Sequence, residues 1–159
     1  MLPEMAKESE HKSVTIKNRK ARHEYHIEET FETGIVLVGT EVKSIRLGKA
    51  SLQEAYCKVE GGEVIIHGMH IAPYEQGGRF NVDPLRTRKL LMHKSEIHKI
   101  DRRAQEKGLT LIPIKLYFTR GYAKLEIGLA RGKKLWDKRE AITERDVERD
   151  RRRAESEKR

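Results

Sequence analysis

Lys20, Arg22, His23 and Tyr25 lie within or just after the basic run from Lys17 to His23, and they combine phosphate-pairing charge with rings on which an unpaired base can stack. The same residue types also make an ordinary solvated surface, so this run alone leaves both readings open. A second group is sharper. Lys133, Lys134, Trp136, Asp137, Lys138 and Arg139 place a bare tryptophan among cations, away from any predicted core. That suggests a contact surface, the alternative being local packing of Trp136 against the folded body.

Other chemistries find less support. Among seven histidines, His67 and His70 are the closest pair, but no second Cys or His pair is placed to complete a tetrahedral metal site. Polar residues at a strand end explain them better. The segment Gly48-Lys49-Ala50-Ser51 resembles the end of a phosphate-binding loop. That motif needs Ser or Thr directly after the lysine and a glycine five residues before Gly48, where Ala50 and Lys43 stand. Cys57 falls inside a predicted strand with nothing nearby in sequence to activate it. Glu28, Glu29 and the C-terminal acids sit among bases, as solvated charge does. No catalytic constellation, metal site or cofactor motif emerges, and the expectation is a protein that is not an enzyme.

Composition names the class of partner. The 159 residues carry 34 Lys or Arg against 25 Asp or Glu, a formal charge of +9, which suits a polyanion. No apolar run approaches the roughly 20 residues that span a bilayer, and the N-terminus lacks a signal-peptide apolar region. With a single cysteine, which can form no internal disulfide, this points to the cytoplasm and away from membranes.

The elements that must hold these residues are mostly strands. Phe31 to Gly39 is rich in β-branched residues and bounded by glycine. Thr40 can cap a short helix over Glu41 to Leu47, closed by Gly48. Ala55 to Glu60 and Glu63 to His67 flank Gly61-Gly62, a hairpin signal. Pro73 to Arg88 reads as an irregular loop carrying Arg79, Arg86 and Arg88. Ile97, Ile100 and Ala104 recur at helical spacing between His93 and Lys107, before Gly108. Ile112, Ile114, Leu116 and Phe118, then Ala123, Leu125, Ile127 and Leu129, alternate with other residues around Arg120-Gly121, giving a second hairpin.

The pattern predicts a mainly β fold: a small antiparallel barrel of the oligonucleotide-binding (OB) type, with two or three short helices. It covers residues 15–130, after a disordered lead-in at 1–14. Residues 131–159 are dense in charge, with Leu135, Trp136, Ile142 and Val147 nearly the only large apolar residues. A tail disordered when free and helical on a partner follows, helped by i,i+4 pairs such as Glu148 with Arg152.

Taken in order, several stretches resemble the SsrA-binding protein family, also called small protein B. They are NRKARHEY (Asn18 to Tyr25), IEETF (Ile27 to Phe31), GTEVKS (Gly39 to Ser44), NVDPLRTRKLL (Asn81 to Leu91), EKGLT (Glu106 to Thr110), GLARGKK (Gly128 to Lys134) and DKR (Asp137 to Arg139). The resemblance implies an OB barrel that grips the tRNA-like domain of transfer-messenger RNA. It also implies a tail that becomes helical in the ribosomal decoding centre and vacant mRNA channel, so that stalled ribosomes are rescued by trans-translation. Glu32, Leu91 and Lys124 fall on positions the family uses for that RNA, although Leu91 could instead be core and Glu32 merely exposed. Gly132, Lys133, Lys134, Trp136, Asp137, Lys138 and Arg139 fall on its decoding-centre segment. His26 and Trp136 depart from the family pattern, where an aromatic or apolar residue and a histidine or tyrosine are usual.

The expected partners are transfer-messenger RNA and the ribosome, bound by a monomer. Two rivals remain: a protein that coats single strands without structural preference, and an RNA-processing enzyme.

Overall fold

The computed structural model describes residues 14–106, 108–133 and 148–154. In chain order the body contains β1 (Thr15–Lys17), α1 (Arg19–Glu24), β2 (Tyr25–Ile35), α2 (Gly39–Arg46), β3 (Ala50–Ser51), β4 (Tyr56–Glu60), β5 (Glu63–His67) and β6 (His70–Ile71). A 3₁₀ segment (Glu75–Phe80), β7 (Arg88–Leu91), α3 (Lys94–Ala104), β8 (Leu109–Thr119) and β9 (Tyr122–Gly132) complete it. Strand neighbours run β8-β4-β5-β7-β2-β9, and β9 pairs back onto β8, closing an antiparallel ring. The other edge of β8 is shared. Leu111 near its start faces Cys57 of β4, while Lys115 to Tyr117 face β1. Closure leaves few unpaired strand edges. β3 and β6 form a separate two-stranded ribbon.

Both predicted hairpins form. Gly61 and Gly62 have φ of 57° and 78°, and Arg120 and Gly121 of 52° and 82°. Two positive φ angles in succession match the turn to the twist of the flanking strands. Inside the ring, Val64, Ile66, Leu90, Leu125, Ile127 and Leu129 are fully buried, and α3 closes one side with Ile100. Cys57 faces this core, where burial pushes its thiol pKa up.

Strand β9 keeps the predicted alternation, but β8 does not. Its register with β9 slips at Ile114, so Leu111, Leu116 and Phe118 enter the core while Ile112 turns to the opposite face. β2 slips likewise at Glu28, which sends Ile27 outward and Phe31 inward. These bulges create a second, outer cluster of Ala21, Ile112 and Ala130, with Tyr25 and Ile27 packed against it. Gly128 lies beneath it. A Cβ there would stand 2.8 Å from Ile114 Cδ1 and 3.0 Å from Ile27 Cγ2.

The outer cluster explains α1, a helix the sequence reading did not contain. Six residues are too few to show a period, yet the element is anchored at its cap. Asn18 Oδ1 accepts from Ala21 N–H at 3.3 Å, and its Nδ2 donates to Pro113 O at 2.8 Å and Leu52 O at 3.2 Å.

Other boundaries differ for local reasons. β2 begins at Tyr25, well before Phe31, because it pairs with β9 along most of its length. α2 starts at Gly39; Thr40 is not its cap, and Glu41 Oε1 instead accepts from Val38 N–H at 3.0 Å. Gly48 closes α2 as predicted, its N–H donating to Ile45 O. Arg88 leaves the irregular loop and is buried within β7. β9 runs on to Gly132, past the expected end of the barrel at residue 130. Residues 148–154 are helical and exposed, and Arg152 pairs with Glu148 at 3.1 Å as expected. The expected lead-in, apart from residue 14, and most of the expected tail lie outside the described residues. No helix among the described residues is long and apolar enough to cross a membrane.

Candidate nucleic-acid interface

The pleat sends alternate residues of β9 to the outer face, and strand register fixes what stands beside each. Lys124 lies between Gly34 on β2 and Tyr117 on β8; Gly34 faces Leu91 on β7, and Tyr117 faces Thr15 on β1. The next row holds Glu32, Glu126, Lys115 and Lys17 on β2, β9, β8 and β1. Glu32, Leu91 and Lys124, far apart in sequence, therefore share one outward patch.

Leu91 is 53% exposed beside the buried Leu90, so it is not core. It lies across Gly34, where a Cβ would approach Leu91 Cβ to 3.2 Å. The missing side chain lets Leu91 lie flat across the strand as an exposed apolar surface. Tyr117 Oη donates a hydrogen bond to Glu32 Oε2. Burial, then the Glu32 carboxylate, pushes the phenol pKa well above the ordinary tyrosine range, which keeps it a neutral donor. Lys115 Nζ sits 5.4 Å from the Tyr117 ring centroid and 3.6 Å from Glu126 Oε2. Lys124 forms no ion pair among the described residues. The patch thus joins an aromatic ring, a free cation, an apolar surface and a carboxylate acceptor, the groups that bind bases, phosphates and ribose.

Further along the same outer face, α1 roofs the sheet. Ala21 faces down, and Arg22 and His23 are exposed. Lys20 pairs with Glu54 at 3.2 Å, and that hydrogen bond raises its pKa. Tyr25 is half-buried in the outer cluster, so part of its ring serves packing. His26 is half-buried opposite Arg131. Gly132 ends β9 opposite Tyr25, which directly follows α1, and the exposed Lys133 comes next. Lys134, Trp136, Asp137, Lys138 and Arg139 lie outside the described residues.

Two charge networks hold the surroundings in place. At one end Glu41, with a side chain only 3% exposed, receives Arg86 and the fully buried Arg88, each at 2.5 Å. Arg88 also donates to Met69 O and Pro84 O, tying the long loop to α2. Burial would push the Glu41 carboxyl up, but hydrogen bonds from Arg86, Val38 N–H and Arg88 outweigh it and hold it below the usual range. Near the α1 end, Glu28 accepts from Arg131 at 2.6 Å and Arg103 at 2.8 Å, and Glu29 from Lys99 at 2.6 Å. Arg103 and Lys99 thereby fix α3 to the barrel. His67 is engaged as well, with Nε2 2.9 Å from Glu60 Oε1 and its ring stacked on Tyr56.

Three members of the patch escaped the sequence reading: Tyr117, Lys115 and Gly34. Tyr117 had a usable signal, since it and Lys124 stand equally far from the Arg120-Gly121 turn and must pair if the hairpin is regular there. Gly34 had none, because its role depends on a strand from another part of the chain.

The family model described as SmpB protein matches residues 15–157. The SsrA-binding protein of Acetivibrio thermocellus is 60% identical over 143 residues, covering 90% of this chain and 92% of that one. The SsrA-binding protein of Pelotomaculum thermopropionicum is 58% identical over 137 residues, covering 86% and 90%. That of Bacillus subtilis is 56% identical over 137 residues, covering 86% and 88%. A chain in the solved structure described as "tmRNA-SmpB: a journey to the center of the bacterial ribosome" superposes with a TM-score of 0.66 at 52% identity, covering 76% of this chain and 85% of that chain.

Proposed function

This chain belongs to the SmpB family of SsrA-binding proteins, and from that premise we propose that it binds the tRNA-like domain of transfer-messenger RNA and delivers it to stalled ribosomes. The observation that carries the reading is the outward row Leu91, Gly34, Lys124 and Tyr117 with Glu32 beside it. Rigid strands hold these groups, so their spacing is set before RNA arrives and little ordering entropy is lost on binding. Lys124 takes a phosphate, the Tyr117 ring and Leu91 cover a base or sugar, and Glu32 orients the phenol while offering its second oxygen to the RNA.

The exposed Arg22 and His23, with Lys20, extend the contact over α1. The segment from Lys133 through Lys134, Trp136, Asp137, Lys138 and Arg139 works in the decoding centre and empty mRNA channel of the ribosome. Barrel and tail divide the labour: the first supplies affinity for the RNA, the second licenses translation to resume on it. The protein performs no catalysis, needs no cofactor, and acts as a monomer in the cytoplasm. Sequencing the RNA that copurifies with the chain from its host tests this. Transfer-messenger RNA should dominate; a broad mixture of single-stranded RNAs would favour a general coating protein instead.

A further inference from the structure

The outward surface continues where β2 leaves the sheet. Val36 is 44% exposed and Val38 37%, and they lead from the Gly34–Leu91 contact to a cleft between the start of α2 and the 3₁₀ segment. The cleft is lined by Val38, Thr40, Lys43, Tyr74, Gly77 and Phe80. Phe80 is 69% exposed, an unfavourable placement in water for a ring of that size.

The loop that shows Phe80 is firmly built. Asn81 Oδ1 accepts from Tyr74 N–H at 2.8 Å, and Asn81 Nδ2 donates to Tyr74 O at 2.8 Å and Gly78 O at 3.2 Å. Thr40 Oγ1 donates to Phe80 O at 3.3 Å. Gly77 packs so closely on α2 that a Cβ would stand 2.8 Å from Thr40 Cγ2. The exposure of Phe80 is therefore imposed by the fold.

Charge identifies the occupant. Lys43 Nζ lies 5.5 Å from the Tyr74 ring centroid, and the Arg79 guanidinium 5.3 Å from that of Phe80. No carboxylate lines the cleft among the described residues, and Glu41 nearby is turned inward onto Arg86 and Arg88. An apolar peptide would leave both cations uncompensated. A nucleotide meets both the rings and the charges.

We propose that this cleft holds one unpaired nucleotide of the same RNA, its base against Phe80 and Tyr74 and its phosphate on Lys43 and Arg79. The inference rests on the reading of the sheet face and enlarges its footprint beyond the end of β2.

The test measures dissociation constants of the full chain for a tRNA-like RNA across a salt series, for the parent, Phe80→Ala, Phe80→Tyr, Lys43→Ala and Lys124→Ala. Phe80→Ala should weaken binding roughly tenfold without altering the salt slope, and Phe80→Tyr should bind like the parent. Lys43→Ala should flatten the slope by about 0.7 to 0.9. Parent-like affinity in Phe80→Ala and Lys43→Ala, with Lys124→Ala weakened, would overturn the cleft and leave the sheet face standing. Parent-like affinity in all of them would overturn both. A weakened Phe80→Ala that tyrosine does not restore also rejects stacking.

Discussion

The phenol of Tyr117 on β8 donates its hydrogen bond to the carboxylate of Glu32 on β2, reaching across the intervening strand β9. Two strands that do not pair with each other are thereby joined on the outer face, and the ring is held beside Lys124. Tyr117→Ala should weaken binding of a tRNA-like RNA by about 1 to 3 kcal/mol, the usual worth of one base on one ring, and Tyr117→Phe by much less. Equal losses in both variants would assign the effect to the hydroxyl.

The same contact has a pH signature. The folded phenol is raised above its unfolded value, so its stabilising contribution is complete below about pH 10 and disappears as pH climbs through the folded value. An alkaline titration of tyrosinate absorbance should show a late-ionising component among the five tyrosines. Tyr117→Phe should remove that component, and Glu32→Gln should bring it to lower pH.

Lys124 stands between Gly34 and Tyr117 with no carboxylate partner among the described residues, so its charge is available to phosphate. Lys124→Ala should reduce the slope of log affinity against log salt by about 0.7 to 0.9 of a unit. An unchanged slope would remove Lys124 from the phosphate contacts.

Much of this frame was legible beforehand because hairpin turns and strand alternation are local. Gly61-Gly62 and Arg120-Gly121 located two hairpins, and the alternation from Ala123 to Leu129 told inside from outside on β9. The same period misread β8, since a bulge is decided by what packs across the sheet; Ala21 and Ile27 arrive from elsewhere in the chain to cover Ile112. Local pattern assigns Arg88 to a loop because its burial depends on Glu41, distant in sequence. At the site, charge and aromatic content marked α1, and family resemblance marked Glu32, Leu91 and Lys124. Their shared face follows from register among β2, β7 and β9, which no local pattern contains.

The Glu41–Arg88 pair predicts a large stability effect. Glu41→Ala would leave Arg88 buried without its counter-charge, and urea unfolding should report a loss of about 3 to 5 kcal/mol. Acid should act in the same direction. The Glu41, Glu28 and Glu29 carboxyls are all held below their ordinary value. Arg131 does most for Glu28 and Lys99 for Glu29. Their stabilisation is present above the unfolded value of about 4.3 and is lost as pH falls through the folded ones. Urea midpoints measured from neutral pH downward should hold until that range and then drop.

Truncation separates barrel from tail only if the cut respects β9. Ending the chain after Lys133 should keep RNA affinity and abolish ribosome rescue. Ending it after Ala130 also deletes Arg131, which bridges Glu28 at 2.6 Å and Glu106 at 3.1 Å, and should lower the melting temperature as well. Loss of RNA binding in the chain ending after Lys133 would refute the division of labour.

The central claim is that a preformed sheet face recognises folded RNA. Its most direct test compares the affinity of the full chain for the tRNA-like domain of transfer-messenger RNA with that for an unstructured RNA of equal length and charge at one salt concentration. The folded RNA should bind tighter by at least about tenfold, or about 1.4 kcal/mol. Equal affinities would contradict the account.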